Sequence, residues 1–494
     1  MAVRATDDLR IDWDNSGTWT GTGENVTARM LSRAGVTVTY GRDQIRALSP
    51  SPVAGEISFE LDNRSKDYSP ENSGSPIAAN LKPGRPVRYQ RTYSAQTYTL
   101  FRGYLDEYEV LPNREERSVQ FQGVDALARS TDVKVSTTLH EGIRTGQAIG
   151  FILDAIGWPS GDRDLDTGAT VIPYWWEEDT TWLEALQKVV ASEGPPALVY
   201  IDYANNRLVF RDRHHRLIRT ASTTSQATFR DTGTEPRFSG PVRYDAGWRD
   251  IVNDVSFEVP ERQAEGFLSN VFEDEGIISL GASASTVLHV QASDPFKGAI
   301  TPVAGTDYTL LAGSVSSLTL SRTSGQSTII TITAGAGGAQ IEGMRVRAYS
   351  LPVVRTYRIT ASDSASIADH GSRAMPSDLE PVWAGRHDAK GIADLLILER
   401  KQRRPIFELA LKGAAHDSRL TQCLTRALSD RVTVVDAETG LNDVFYVERL
   451  THTITEAGVF HETVFGLEKV SPSEPTGPFI VGTSLLNGAS TIAY

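Results

Sequence analysis

Between Val36 and Val124 apolar residues recur at every second position in short runs broken by turn residues. That period limits the segment to a β fold, because successive side chains of a strand point to opposite faces. Val36-Thr-Val-Thr-Tyr40 alternates, and Gly41-Arg-Asp43 follows as a turn. Glu56-Ile-Ser-Phe-Glu-Leu61 alternates again, while Asp62-Asn63 and Tyr68-Ser-Pro-Glu-Asn72 read as loop. Lys82-Pro-Gly-Arg-Pro86 turns the chain into Val87-Arg-Tyr-Gln90. Two further strands, Tyr98 to Val110 and Ser118 to Val124, are joined by the polar Pro112-Asn-Arg-Glu-Glu-Arg117. With no helix signal before Asp125-Ala-Leu-Ala128, residues 1–131 are expected to form a small β-barrel.

The period then changes. Ala148, Ile149, Ile152, Leu153 and Ile156 share one helical face, with Thr145 as expected N-cap and Gly157-Trp-Pro159 as stop. Thr181 and Glu184 have capping-box spacing and open a second helix at 182–192, striped by Leu183, Leu186, Val189 and Val190. Ala197 to Asp202 and Arg207 to Arg211 flank a hairpin turn, so 132–230 reads as a small α+β domain. Residues 231–265 are expected to be connecting strands returning to a barrel, with a strand from Val252 to Val259. Residues 266–350 are rich in Ser, Thr, Gly and Ala and predict a β-rich insertion, with Gly335-Ala-Gly-Gly338 as a turn. Residues 351–470 predict a second barrel with two helices. One is 388–403, capped by Asp388 and carrying Ile392, Leu395, Leu396 and Glu399. The other is 418–428, with Leu420, Cys423, Leu424 and Ala427 inward. Its strands are Ile406 to Leu411, Val432 to Asp436, Val444 to Thr455 and Val459 to Leu467. The whole is mainly β with α+β parts and multi-domain, in line with about three domains for 494 residues.

One internal echo stands out. Pro86-Val87, Phe101-Arg-Gly-Tyr-Leu105 and Val119-Gln-Phe-Gln-Gly-Val-Asp125 recur in order as Arg431-Val432, Phe445-Tyr-Val-Glu-Arg-Leu450 and Val464-Phe-Gly-Leu-Glu468. A duplicated unit and the chance likeness of two β-meanders both fit this pattern.

Composition narrows the function classes. A formal charge of −13 speaks against a broad nucleic-acid-binding face. The single cysteine, Cys423, rules out an intramolecular disulfide and a Cys-based zinc site. No apolar run approaches the ~20 residues of a membrane helix, and MAVRATDDLR lacks an apolar signal core. A soluble protein of a reducing compartment is expected.

Catalytic signatures are missing. The sequence has no Gly-Lys dipeptide and therefore no Walker A loop, no third glycine after Gly21-Thr-Gly23, and no Gly-x-Ser-x-Gly. His461-Glu462 lacks the second histidine of a zinc helix. His214-His215 is expected at a solvated hairpin end rather than on a metal. Glu177-Glu178-Asp179 behind Trp175-Trp176 offers carboxylates and a sugar platform, but acidic residues before a helix are explained by its dipole. Arg400-Lys401-Gln402-Arg403-Arg404 reads as a solvated helix end, with an acidic partner subunit or nucleic acid as alternatives. Cys423 sits on an apolar stripe and reads as a buried structural cysteine. No catalytic, cofactor-binding or metal residue is assigned, and no enzyme activity is expected.

Several motifs run in a telling order: Val38-Thr-Tyr-Gly-Arg-Asp43, Gly55-Glu-Ile-Ser-Phe-Glu-Leu61, Asn63, Tyr68-Ser-Pro70, Leu81-Lys-Pro-Gly-Arg-Pro-Val87, Leu100-Phe-Arg-Gly103 and Gln122-Gly-Val-Asp-Ala-Leu127. The series continues through the helix at 145–157, Leu198 to Asp212, Ser366 to Arg373, Leu428-Ser-Asp-Arg-Val432, Phe445-Tyr-Val-Glu448 and Phe465-Gly466. This order, over about 36–470 and weakest at 266–350, resembles the tail-tip hub proteins (minor tail proteins) of long-tailed phages infecting actinobacteria.

The resemblance implies a homotrimeric structural virion protein resembling baseplate hubs, with two tube-like β-barrels per chain. Three chains would supply six quasi-equivalent units to a hexameric tube. It implies as partners the distal tail protein ring and tail tube, the C-terminal end of the tape measure protein, and tip fibres or a spike. Phage DNA would pass the lumen without specific binding, past an acidic or neutral wall that Arg400 to Arg404 face away from. The protein would be made in the host cytoplasm and end in the virion. Many related hubs carry a C-terminal peptidase or muramidase that digests cell wall; with only 471–494 after the second barrel, no such enzyme is expected here. That segment has Phe479-Ile-Val481, Leu485-Leu486, Ile492 and Tyr494, no charge after Glu474, and Pro472, Pro475 and Pro478 that hinder a strand. It is expected to be a docking tail that anchors the distal component. The alternatives are a carbohydrate- or cell-surface-binding β-protein and, further off, a cell-wall hydrolase.

Overall fold

The computed structural model describes residues 3–470 apart from 43–47, 49, 51, 113–116, 130–131, 240–241, 246 and 249. The expected docking tail, 471–494, lies outside the described residues.

Six strands build the first β segment: β1 (Thr6–Ile11), β2 (Val36–Gly41), β3 (Glu56–Asp62), β4 (Pro86–Tyr93), β5 (Gln96–Pro112) and β6 (Arg117–Val124). Their alternation decides which face is core. Leu9, Ile11, Val36, Val38, Ile57, Phe59, Leu61, Val87, Tyr89, Val119 and Phe121 are buried together. The second segment comprises Ile406–Lys412, Arg431–Asp436, Leu441–Thr455 and Phe460–Lys469. It buries Phe407, Leu409, Leu411, Val432, Val434, Phe445, Val447, Phe465 and Leu467 around Phe229.

The two segments share one twelve-stranded sheet. Its path runs β1-β4-β5-β6-β3-β2, then Leu441–Thr455, Phe460–Lys469, Ile406–Lys412 and Arg243–Asp245. The joint is the antiparallel ladder of β2 on Leu441–Thr455, with Val36 opposite Ile454 and Gly41 opposite Arg449. Arg431–Asp436 pairs with the first half of the same long strand and carries Thr228–Arg230 in parallel.

The echo in sequence is an echo in topology. In the first segment the order is β4-β5-β6-β3, so the strand that precedes the meander lies beside its last strand. In the second, Arg431–Asp436, Leu441–Thr455 and Phe460–Lys469 form the meander, and the preceding Ile406–Lys412 lies beside the last strand. This is a Greek-key arrangement used twice. A short helical element bridges the same gap each time, Ala78–Asn80 and Asp417–Thr425. Each central strand has a bulge next to the residue that faces the glycine: Asp106 follows Leu105, which is opposite Gly123, and Glu448 precedes Arg449, which is opposite Gly466.

The α+β unit holds helices α1 (Thr145–Ala155) and α2 (Trp182–Glu193) and the hairpin Leu198–Asp202 with Arg207–Arg211. Thr181 caps α2 by accepting the Glu184 N–H at 3.4 Å. Thr145 is not the cap of α1. It is the first helical residue, and its hydroxyl instead donates to Glu193 Oε2 at 2.6 Å; Arg144 is the N-cap, and its N–H is received by Gln147.

Residues 231–265 depart from expectation. Among its described residues only Arg243–Asp245 joins the main sheet. Asp254–Arg262 pairs with Val353–Ser362 as a separate ribbon, because Val255, Phe257, Val259 and Ile359 find their apolar cover on helix Arg386–Arg400 through Ala389, Ile392, Ala393 and Leu396. That helix is capped by Gly385, since Asp388 is occupied in accepting the Val171 N–H, and it ends at Arg400. The later helix ends at Thr425 and is capped by His416.

In the insertion, strands Ser269–Leu280, Ser285–Gln291, Phe296–Ile300 and Thr309–Arg322 all pair with Ser327–Ser350. Gly335 to Gly338 is no chain reversal: the strand runs through it. Its buried set shifts from Ile330, Ile332 and Ala334 to Ala339 and Ile341, and then to Met344, Val346 and Ala348. The glycines act as bulges that move the side chains by one position. A Cβ on Gly313 would lie 2.0 Å from Gly338 O, so the two strands need the bare backbone there.

Candidate functional site

Glu448 is the extra residue of the second bulge, where Leu441–Thr455 changes neighbour from Arg431–Asp436 to β2. The bulge leaves it outside the regular pairing and its side chain is buried. Its Oε2 accepts from Arg42 Nε at 3.1 Å and its Oε1 from Arg216 Nη2. Arg42 also donates to the carbonyls of Pro196 and Ala197 at 2.9 and 3.0 Å. One carboxylate thus ties both β segments to the α+β unit. The bulge residue of the first unit, Asp106, is exposed.

His215 belongs to this junction. It was expected at a solvated hairpin end; instead the chain coils into His215–Ile218 and the imidazole is buried, 2.9 Å from Ser429 Oγ and 2.6 Å from Asp212 O. Burial, with Arg216 beside it, pushes its pKa well below the usual range, so the ring is neutral. His214 is the N-cap of that short helix.

The basic run is also internal. Arg400 is fully buried and grips Glu468 with two hydrogen bonds of 2.6 and 3.1 Å. Arg404 donates to Lys469 O and to Glu399, and Lys401 pairs with Asp363 at 3.1 Å. Burial alone would raise the Glu468 carboxyl, but Arg400 and Arg404 hold it below the usual carboxylate range. A solvated helix end is therefore the wrong description for Arg400 and Arg404, which reach Glu468 and Lys469 O on the last strand, while Arg403 is exposed as expected and Lys401 is half-buried beside Asp363.

The acidic run does not form a cleft pair. Glu177 is buried near Lys188 at 3.9 Å and its pKa is raised by burial, whereas Asp179 pairs with Lys134 at 2.6 Å on the surface. Trp175 is buried against Phe151 and His140, so it offers no open sugar platform. Cys423 is buried and its thiol is pushed up to about 12 by burial. His461 is buried 3.2 Å from His452, a neighbour visible only once the hairpin register brings the two strands side by side.

Asp12, Asp14 and Glu24 bring carboxylate oxygens within 4.8 Å of one another. Asp12 accepts the N–H groups of Ser16 and Gly17, and Glu24 that of Gly21, which accounts for the cluster without an ion. The spacing Asp12-x-Asp14-x-Ser16-Gly17 was the available sequence signal.

The two ends of the large sheet differ. β1 is covered by the following loop through the bridge of Arg10 to Asn25 and the bond from Val26 N to Leu9 O. Among the described residues Arg243–Asp245 is paired on one side only, and it presents Tyr244 at 41% exposure, with Trp248 nearby in sequence at 55%. The Arg373 guanidinium lies 3.7 Å above the Trp248 ring. An open edge flanked by aromatic residues is an association surface.

No protein-family model matches the sequence, and no curated protein matches it. Solved structures do. A tail protein from Neisseria meningitidis MC58 matches with a TM-score of 0.51 at 10% identity, over 94% of this chain and 96% of that one. The 43 kDa tail protein of prophage MuSo2 from Shewanella oneidensis matches with a TM-score of 0.47 at 12% identity, over 95% and 99%. The first of these likenesses extends over nearly the whole of both chains and shows a shared mainly β, multi-domain fold.

Proposed function

We propose that the chain is a structural phage tail protein: the hub that closes the distal end of the tail tube, assembled as a homotrimer and without enzymatic activity. The observation that carries this reading is the four-strand unit used twice within one continuous sheet. Two such units per chain let three chains meet a sixfold tube without a symmetry mismatch. The fold likeness to a tail protein along the full chain supports the same reading.

In this role the hub contacts the distal tail ring and tube, the C-terminal end of the tape measure protein, and tip fibres or a spike, in a phage of actinobacteria. The DNA passes without specific binding. A formal charge of −13 per chain disfavours phosphate retention, and Arg400 and Arg404 are spent on internal carboxylates. The segment 471–494 anchors the distal component.

The edge strand Arg243–Asp245 is the proposed contact between protomers. Tyr244→Arg combined with Trp248→Ala is expected to convert the trimer to monomer in light scattering, with an unchanged melting temperature. Specific interfaces bury more than ~1,000 Å², and two central aromatic anchors commonly dominate them. A double variant that keeps the trimer mass removes this edge from the interface. A parent chain that is monomeric at every concentration favours the carbohydrate- or surface-binding alternative.

A further inference from the structure

Of the two tryptophans that the sequence offered as a sugar platform, Trp175 is enclosed, but Trp176 lines a cleft of about 180 Å³ between the α+β unit and the Asp254–Arg262 ribbon. Tyr357 and Trp383 supply its other aromatic walls, and Glu261, Arg262 and Arg386 stand among them.

The walls are fixed from behind. Trp176 packs on Gly325, where a Cβ would clash with its ring, and it donates from Nε1 to Gln326 at 3.2 Å. Trp383 meets Trp176 edge to face with centroids 5.1 Å apart, and its backbone N–H donates to Ser192 Oγ at 3.0 Å. The Tyr357 hydroxyl donates to Glu261 at 3.0 Å and accepts from Arg355 at 3.4 Å. Rings ordered in advance spare a ligand the entropy of ordering them.

The charges of the cleft leave one cation over. Arg262 pairs with Asp294 at 3.1 Å. Asp388, in the first turn of the helix that Arg386 opens, accepts the Val171 N–H at 3.0 Å and lies 3.7 Å from Arg213. Among the described residues no carboxylate pairs with Arg386, which is exposed, and its guanidinium lies 5.0 Å over the Tyr357 ring. A guanidinium stacked on a ring keeps its N–H edge for a carboxylate, which it grips through two parallel hydrogen bonds.

These features define a ligand. A pyranose ring carries C–H groups on its faces and hydroxyls around its edge. The C–H groups suit the negative face of an aromatic ring, and the hydroxyls need donors and acceptors beside it. Trp383 and Tyr357 meet the first need, and Arg262 and Glu261 meet the second. Arg386 adds a seat for one carboxylate. The volume limits the length: 180 Å³ equals about six waters at ~30 Å³ each, room for a single ring. Clefts for drug-sized molecules are larger, at ~300–1,000 Å³.

We propose that this cleft binds one acidic sugar residue, a pyranose bearing a carboxylate, with its ring against Trp383 and its carboxylate on Arg386. The inference adds a ligand site to the hub and does not rest on that role, since sugar binding and trimer mass are read separately.

Titration of the full chain with glucuronate, galacturonate and mannuronate, followed by tryptophan fluorescence and calorimetry, tests it. Glucose serves as the neutral sugar and benzoate as an aromatic acid without a sugar ring. At least one uronate is expected to bind about tenfold or more tightly than glucose and benzoate, the effect of one charge-assisted bidentate contact. Arg386→Gln, at an exposed position, is expected to weaken that uronate by about tenfold with no change in melting temperature. Trp383→Ala is expected to weaken it by about tenfold as well, as loss of an aromatic anchor does. Absence of binding by all three uronates, glucose binding as tightly as the best of them, or an Arg386→Gln variant that binds it like the parent would each overturn the proposal. Benzoate binding as tightly as the best uronate would also overturn it and make the cleft a site for aromatic acids.

Discussion

Glu448→Ala is expected to destabilise the large sheet by about 3–5 kcal/mol, the cost of breaking a buried ion pair from one side. The reason lies in what remains. Arg42 and Arg216 both point at Glu448 from buried positions, and neither can reach water when the carboxylate is removed. Replacing the whole cluster with apolar residues of similar volume, Arg42→Met, Arg216→Met and Glu448→Leu together, should cost much less, because no charge is left unpaired. Urea unfolding monitored on the β transition measures both, with the slope expected to be unchanged between parent and single variant. A loss under about 0.5 kcal/mol for Glu448→Ala, the scale of an ordinary surface change, would show that the junction does not hold the two β segments together.

Acidification should unfold the protein through His452 and His461. Burial, aided by the charge of Arg91, keeps His452 neutral down to about 3 and His461 well below its usual range. Arg91 itself pairs with Asp7 at 2.7 Å; the ring of Tyr40 stacks on His452, and Thr463 Oγ1 lies 3.0 Å from it. In the unfolded chain a histidine titrates near ~6.5. Below that pH the unfolded state therefore binds a proton that the native state refuses. Their contribution is complete above ~6.5 and falls as the pH drops, for His452 by about 3 kcal/mol at pH 4. Asp125 works in the opposite sense. Burial raises it to about 7, although it accepts from Gly55 N and the Tyr203 hydroxyl, so the native state gains stability as pH falls from 7 toward 4. His452→Gln should flatten the acid limb of stability against pH by about 3 kcal/mol between pH 7 and pH 4. An identical limb in parent and variant would show that these rings do not titrate on unfolding.

The strands of the first segment and the two helices of the α+β unit were legible because each rests on local pattern. β3 alternates, and α2 has its cap at Thr181 and its stripe three to four residues apart. The duplicated unit was visible only as order, and the ladders turn that order into matched topology, with a bulge beside the partner of Gly123 and another beside the partner of Gly466. What local pattern could not supply was the partner of each charge. Arg400 looks solvated until Glu468, 68 residues on, is placed beside it, and Arg42 meets Glu448 across 406 residues. Gly335 to Gly338 reads as a turn locally but lies inside one long strand, where it shifts the register with the neighbouring strand. Likewise Asp254–Arg262 carries a regular strand signal, but only the apolar face of helix Arg386–Arg400 determines that it stays out of the large sheet.

The hub reading meets its most direct test in a three-dimensional reconstruction of the purified particle, read together with the native mass of the isolated assembly. The expected result is three copies of the 53.9 kDa chain in one ring at the distal end of a tail tube, with β4-β5-β6-β3 and its counterpart alternating as six units around the axis. A single copy, a ring in which the two units are not arranged about a common axis, or a chain absent from the tail tip would contradict it.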